Sequence, residues 1–205
     1  MKTRVLFFTF ILWSLLSSLV YAATTIDFDD GSQGDSVGNQ YSVLGITFGN
    51  AKFVSTYGLP GSSGLIGIAS ESTGYNFDIA NAVVANFSTG FTSVSITGID
   101  IGGNGLRMDA YDNLGTLVGS DDWDGGTGEG TGEFQTLTIS DPLIFQIVIY
   151  QLRQDTLIEW EGVLTPEGVI LDNLVFETSA VPVPTTAFVF IVGLLGLTGI
   201  VRYQR

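Results

Sequence analysis

Hydrophobic and polar residues alternate in short bursts through the middle of the chain, with Gly, Asn, Asp and Ser between the bursts. "TTIDFDD" sets Ile26 and Phe28 against Asp27 and Asp29. "YSVLGITFGN", "AKFVST", "GLIGIAS", "AVVANFS" and "FTSVSITGIDI" follow. "GLRMDAYD" runs into a turn signal at Asn113 and Gly115 and then into "TLVGS". After a Gly-rich acidic loop come "FQTLTIS", "LIFQIVIYQ" and "GVILDNLVFET". Period-two alternation with this punctuation predicts roughly ten to twelve short strands. No helical period appears between the two ends of the chain, and no internal repeat. The expected fold is all-β, an antiparallel β-sandwich of jelly-roll type, because that packing buries one face of each sheet.

The two ends break the pattern. Lys2 and Arg4 precede an apolar core, Val5 to Leu16, and Val20-Tyr21-Ala22 supplies small residues. This is the pattern of a secretory signal peptide over residues 1–22, cut after Ala22. At the other end Ala187 to Val201 carries no charge, and Arg202 and Arg205 lie beyond it. With Val181–Thr186 it is just long enough to span a thin bilayer as a helix. The positive-inside rule places the arginines in the cytoplasm and the middle of the chain outside. Pro182 and Pro184 hold the chain extended before the apolar run. The expected organisation is a signal peptide at 1–22, a β-sandwich domain at 23–180 and a C-terminal segment with a hydrophobic helix at 181–205.

Charge and composition narrow the function. Formal charge is −14, and Lys52, Arg107 and Arg153 are the only basic residues between the ends. They stand against all 21 acids, which gives the middle of the chain a charge of about −18. Such a field repels phosphate backbones and excludes nucleic acid as a partner. There is no Cys, so disulfide scaffolds and thiol nucleophiles are excluded. There is no His either. That removes Ser-His-Asp catalysis and the usual zinc sites.

"VPVP", an apolar run containing "GLLGL" and a terminal Arg resemble the PEP-CTERM sorting signal of Gram-negative bacteria, in its Val-Pro-x-Pro variant. The same tail is sometimes labelled an ice-binding protein C-terminal domain. The tail departs from the commonest form at Val183, which stands in place of an acid, and in "RYQR", which is not an unbroken arginine run. The resemblance implies export by the general secretion machinery and recognition by an exosortase-type membrane protease. Pro182, Pro184, Arg202 and Arg205 would form its sorting signal. Cleavage near the prolines would release the domain to the cell surface, in company with extracellular polysaccharide. A plain, retained anchor is the other reading of this tail. "IDFDD…YSVLGITF", "RMDAYDNLGTLVGS" and "ILDNLVF" are also similar to exported PEP-CTERM proteins and, more widely, to jelly-roll carbohydrate-binding modules.

Candidate chemistry is sparse. Asp172 shares parity with Ile170, Leu174 and Phe176 on a strand whose two faces are both largely apolar. A carboxylate there must be paired, hydrogen-bonded or metal-bound. By the resemblance to jelly-roll modules, Asp172 with Asp27 or Asp29 would hold a structural Ca²⁺, completed by backbone carbonyls. The alternative is hydrogen bonding to neighbouring backbone amides. "SDDWDGGTGEGTGE" gathers Asp121, Asp122, Asp124, Glu129 and Glu133, but lacks EF-hand spacing. Trp123 in this stretch is the first candidate for stacking on a sugar ring, ahead of Tyr57, Tyr75 and Trp160. Glu159 and Glu161 flank Trp160 as a carboxylate pair, but alternation places them side by side on one face, which is not a glycosidase arrangement. The expected function is a non-catalytic exported protein, associated with the cell surface or extracellular polysaccharide and carbohydrate-binding. A permanently anchored structural or adhesive protein and a carboxylate-dependent glycan-active enzyme are the alternatives.

Overall fold

Alternation in the sequence becomes alternation in burial. Along Ile46–Gly49, Ile46 and Phe48 are buried while Thr47 and Gly49 are half-buried. The computed structural model describes residues 23–125, 133–154, 157–160, 163–166 and 168–178. The expected signal peptide and its Ala22 cleavage point lie outside the described residues, as do Pro182, Pro184, Arg202, Arg205 and the C-terminal helix. Among the described residues no helix is long and apolar enough to cross a membrane.

The described residues are all-β. The strands are β1 (Ala23–Ile26), β2 (Ile46–Gly49), β3 (Ala51–Ser55), β4 (Ile66–Ser70), β5 (Val83–Ile99) and β6 (Leu106–Tyr111). They continue with β7 (Leu117–Trp123), β8 (Phe134–Tyr150), β9 (Leu157–Trp160), β10 (Val163–Pro166) and β11 (Ile170–Thr178). Three single-turn 3-10 segments interrupt them. Nine strands form one continuous antiparallel sheet in the order β3-β4-β11-β5-β8-β6-β7, with β1 on β11 and β2 on β5. Among the described residues β9 and β10 pair only with each other.

β5 and β8 are each 17 residues long, where the sequence suggested two short strands apiece. They turn a corner without breaking their ladder. Phe87 and Phe91 sit four residues apart on β5, a spacing of about 13 Å in a straight strand. Their ring centroids are 4.9 Å apart, edge to face. The register shifts at the same place, where Asn86–Phe91 faces only Ile144–Gln146. β8 bends opposite. A straight strand would hold Thr138 about 36 Å from Ile149. Yet Asp121, beside Met108 and hence close to Ile149, accepts the Thr138 amide at 2.7 Å.

The corner makes the sheet a sandwich. One layer holds β3, β4, β11, β1 and the halves of β5 and β8 near Ile99 and Phe134. The other holds β2, the opposite halves of β5 and β8, β6 and β7. Between them lies one hydrophobic core that includes Ile46, Phe87, Phe91, Ile96, Met108, Ile147, Leu174 and Phe176. Phe91 packs on Phe176 of the neighbouring strand β11 at 4.7 Å.

β1 stops at Ile26, short of the alternation in "TTIDFDD". Phe28 takes a left-handed conformation, φ 61°, which ends the strand. The reason is packing. Phe28 is fully buried against Tyr41 and Phe48 in edge-to-face contacts, and that burial offsets the strain.

Candidate functional site

Asp172 is fully buried, on the outer row of its layer beside Thr97. The β3–β4 loop covers it. The Ser63 amide and hydroxyl donate to its Oδ2 at 2.7 and 3.0 Å, and the Asn173 amide donates to its Oδ1 at 2.7 Å. Burial pushes its carboxyl above the usual range. The Ser63 and Asn173 donors work against that, and the nearby Asp29 charge adds to it.

Asp29 meets the same loop, where its Oδ1 accepts the Leu65 and Ile66 amides. Asp27 contributes its backbone carbonyl to the Ser63 hydroxyl. All three acids proposed for calcium therefore converge on the β3–β4 loop. Both Asp172 oxygens and Asp29 Oδ1 are occupied by N–H and O–H donors. Among the described residues no three metal-type side chains form a group. This arrangement does not fit a calcium cage, which needs six to eight free oxygens.

Trp123 lies elsewhere than its sequence context suggested. β7 runs on through "SDDW", so Trp123 is the last residue of a strand paired with Leu106. It faces the core side and packs partly buried against the core. The reading of Trp123 as a loop residue is corrected by this placement. Asp122 and Asp124 are exposed, and Arg153 ties down Asp124 through an ion pair and a bond to its carbonyl oxygen at 2.7 Å. Tyr57 is 72% exposed and hydrogen-bonds Tyr75. Burial and that bond push the Tyr75 hydroxyl up to about 12. Glu129 and Glu161 lie outside the described residues.

The most organised polar cluster was not singled out from the sequence. It lies on the outer face of the layer containing β6. Asp109 is buried there, on the same face as Arg107 and Tyr111. Its Oδ1 accepts Arg107 Nε at 2.8 Å and Ser120 Oγ at 2.6 Å. Its Oδ2 accepts the Tyr150 hydroxyl at 2.9 Å. Burial alone would raise the Asp109 carboxyl, but the Ser120, Tyr150 and Arg107 bonds together hold it below the usual range. The Asp109 bond raises Arg107 in turn. Burial first, then Asp109, raises the Tyr150 hydroxyl.

Cross-strand registers extend the cluster into three rows. Thr47, Asn86, Gln146 and Tyr111 form one. Gly49, Val84, Val148, Asp109 and Ser120 form the second. Tyr150, Arg107 and Asp122 form the third. Gln146 Nε2 donates to Asn86 Oδ1 at 2.7 Å, which orients both amides. The face thus combines fixed donors and acceptors with two tyrosine rings and an apolar centre. That mixture can recognise a ligand with hydroxyl edges and C–H faces. It holds no His and no Cys.

The fold so described defines a class, the all-β antiparallel sandwich. No family model and no curated protein matches the chain. Among solved structures it is similar to the module CsCBM6-3 from Clostridium stercorarium in complex with cellobiose, at 14% identity and TM-score 0.35, over 76% of this chain and 93% of that one. It is also similar to the family 11 carbohydrate-binding module from Clostridium thermocellum in complex with a β-1,3-1,4-mixed-linked tetrasaccharide. That match has 13% identity and TM-score 0.33, over 79% of this chain and 98% of that one. Likeness of this size assigns neither family nor ligand to this chain.

Proposed function

We propose that the sandwich is a non-catalytic carbohydrate-binding domain of an exported protein, delivered to the cell surface or its polysaccharide matrix. The observation that carries the binding reading is the Asp109 network. A sheet face spends a buried carboxylate on holding Arg107, Ser120 and Tyr150 in place, with Tyr111 beside them. Such fixed polar groups lower the cost of ordering a binding surface. Export is supported by the basic and apolar N-terminal segment and by the Pro-apolar-Arg tail. On this reading an exosortase-type protease cuts near Pro182 and Pro184.

Two measurements test the proposal. The purified protein is presented to a panel of polysaccharides, with Tyr111→Ala and Arg107→Ala as controls. Binding that both variants weaken is expected, and no binding to any polysaccharide would overturn the reading. Intact mass of the protein recovered from its host tests the processing. Loss of the segment beyond Val181 is expected, and a retained segment would make it an anchor.

A further inference from the structure

We infer that the ligand of this face is a neutral polysaccharide segment lying across the strands, along the floor formed by Gly49, Val84 and Val148. This rests on the carbohydrate reading above and adds the class and direction of the chain. The floor is apolar. Val84 and Val148 are neighbours in the β5–β8 register, both half-buried, and Gly49 leaves the β2 end flush. The polar rows lie two residues to either side along the strands, about 7 Å away each. One wall is Asn86 with Gln146. Their mutual hydrogen bond consumes the Asn86 oxygen and one Gln146 N–H, and leaves the Asn86 amide N–H groups and the Gln146 carbonyl oxygen for a ligand. The other wall is Arg107 with Tyr150. Asp109 closes the floor where it reaches β6, and Tyr111 continues the Asn86–Gln146 wall there. Because floor and walls all run across the sheet, a ring-by-ring chain is matched only in that direction. Its C–H faces meet the valines and its hydroxyl edges meet the walls.

Charge argues against an anionic class. Among the described residues Arg107 is the only basic side chain on this face. Lys52 lies on β3, and Arg153 is held at Asp124. The Arg107 guanidinium already faces Asp109 at 2.8 Å and Asp122 at 3.6 Å. A uronate or sulfate would find no uncommitted cation, and would enter the field of a domain at about −18. A neutral glycan meets no such penalty.

Gly49→Leu blocks the floor. A Cβ at Gly49 would stand 3.7 Å from the Val84 Cβ, an ordinary contact, so the strand accepts the side chain while its outer atoms fill the space over Val84. Wild type and Gly49→Leu are titrated with neutral β-glucans and with a polyuronate, each at low and high NaCl, after circular dichroism shows both to be folded. Expected is binding of a neutral glucan with the same affinity at both salts, and weakening by about tenfold or more in Gly49→Leu. If Gly49→Leu does not fold, Asn86→Ala with Gln146→Ala takes its place, with the same expectation. Polyuronate binding that salt weakens would overturn the neutral class and leave the carbohydrate reading standing. Full neutral binding by the blocked variant, lost in Arg107→Ala, would overturn the placement alone. A wild type that binds none of the polymers would overturn the carbohydrate reading itself.

Discussion

Replacing Asp109 by Asn tests the electrostatic core of the candidate face. The amide keeps the size and shape of the carboxylate and can still bond Ser120 and Tyr150. What it loses is charge, opposite an Arg107 Nε at 2.8 Å. A hydrogen bond to a charged partner is worth about 1.5–3 kcal/mol and a neutral one about 1 kcal/mol. The Asp109 side chain is only 7% exposed, so little of the difference is screened on its side. Arg107 is 31% exposed, and its second partner Asp122 softens the loss. The expected cost is about 1–2 kcal/mol, or roughly 5 °C in melting temperature for a domain of this size.

The pH dependence makes the test specific. Asp109 has a folded pKa below its ordinary value of 3.8. The unfolded chain therefore binds the proton more readily. Its stabilisation is fully present above the unfolded value and is lost as pH falls through the folded one. Urea unfolding of wild type and Asp109→Asn should show a constant gap between pH 5 and 7 that closes below about pH 4. Equal stability at pH 7, or a gap unchanged in acid, would refute the reasoning, because a steric effect of the substitution carries no such titration.

Other outcomes follow from the same geometry. Phe87→Leu and Phe91→Leu should couple by about 1 kcal/mol in a double-mutant cycle read by urea unfolding, whereas additive effects would mean that β5 is straight. Carboxyl NMR titration should find Asp172 above the ordinary carboxylate value and Asp109 below it. The two therefore act in opposite senses: the share of stability governed by Asp172 grows as pH falls toward its raised folded value. Calcium and EDTA should leave the melting temperature unchanged, since the Asp172 oxygens are occupied by Ser63 and Asn173; a rise with calcium that Asp172→Ala abolishes would show the cage to form after all.

The strands were legible because burial on one face imposes period two. The corner was not. In the sequence the Gly90 and Pro142 neighbourhoods look like turns between separate strands, since both residues punctuate chains locally. Whether a punctuated chain reverses or merely bends depends on whether the ladder continues. That is decided by pairing with a segment far along the chain, as Asn86 with Gln146, 60 residues away, shows. Phe28 shows the complementary failure. Its parity with Ile26 suggested a longer strand, and the burial it suggested is real. But the core took the ring through a left-handed backbone, which local alternation does not encode.

The candidate face was partly visible and was passed over for a physical reason. Arg107, Asp109 and Tyr111 alternate in "RMDAYD" and share a side by parity alone. Nothing local says that Asp109 is buried, because its cover comes from Ser120 on β7 and Tyr150 on β8. Trp123 drew attention instead because it stands among acids and glycines, the surroundings of an exposed indole. Asp121 and Asp122 belong to a strand, and the strand's own alternation turns Asp122 outward and Trp123 inward. The register that hides the indole therefore aligns Asp122 with Arg107 and Ser120 with Asp109. Slip β7 by one residue and Trp123 would join the outer face while the Asp109 network lost Ser120. The sequence admits one arrangement or the other. The buried carboxylate decides between them, because without Ser120 it would lose one of its three side-chain donors at a site that burial makes costly.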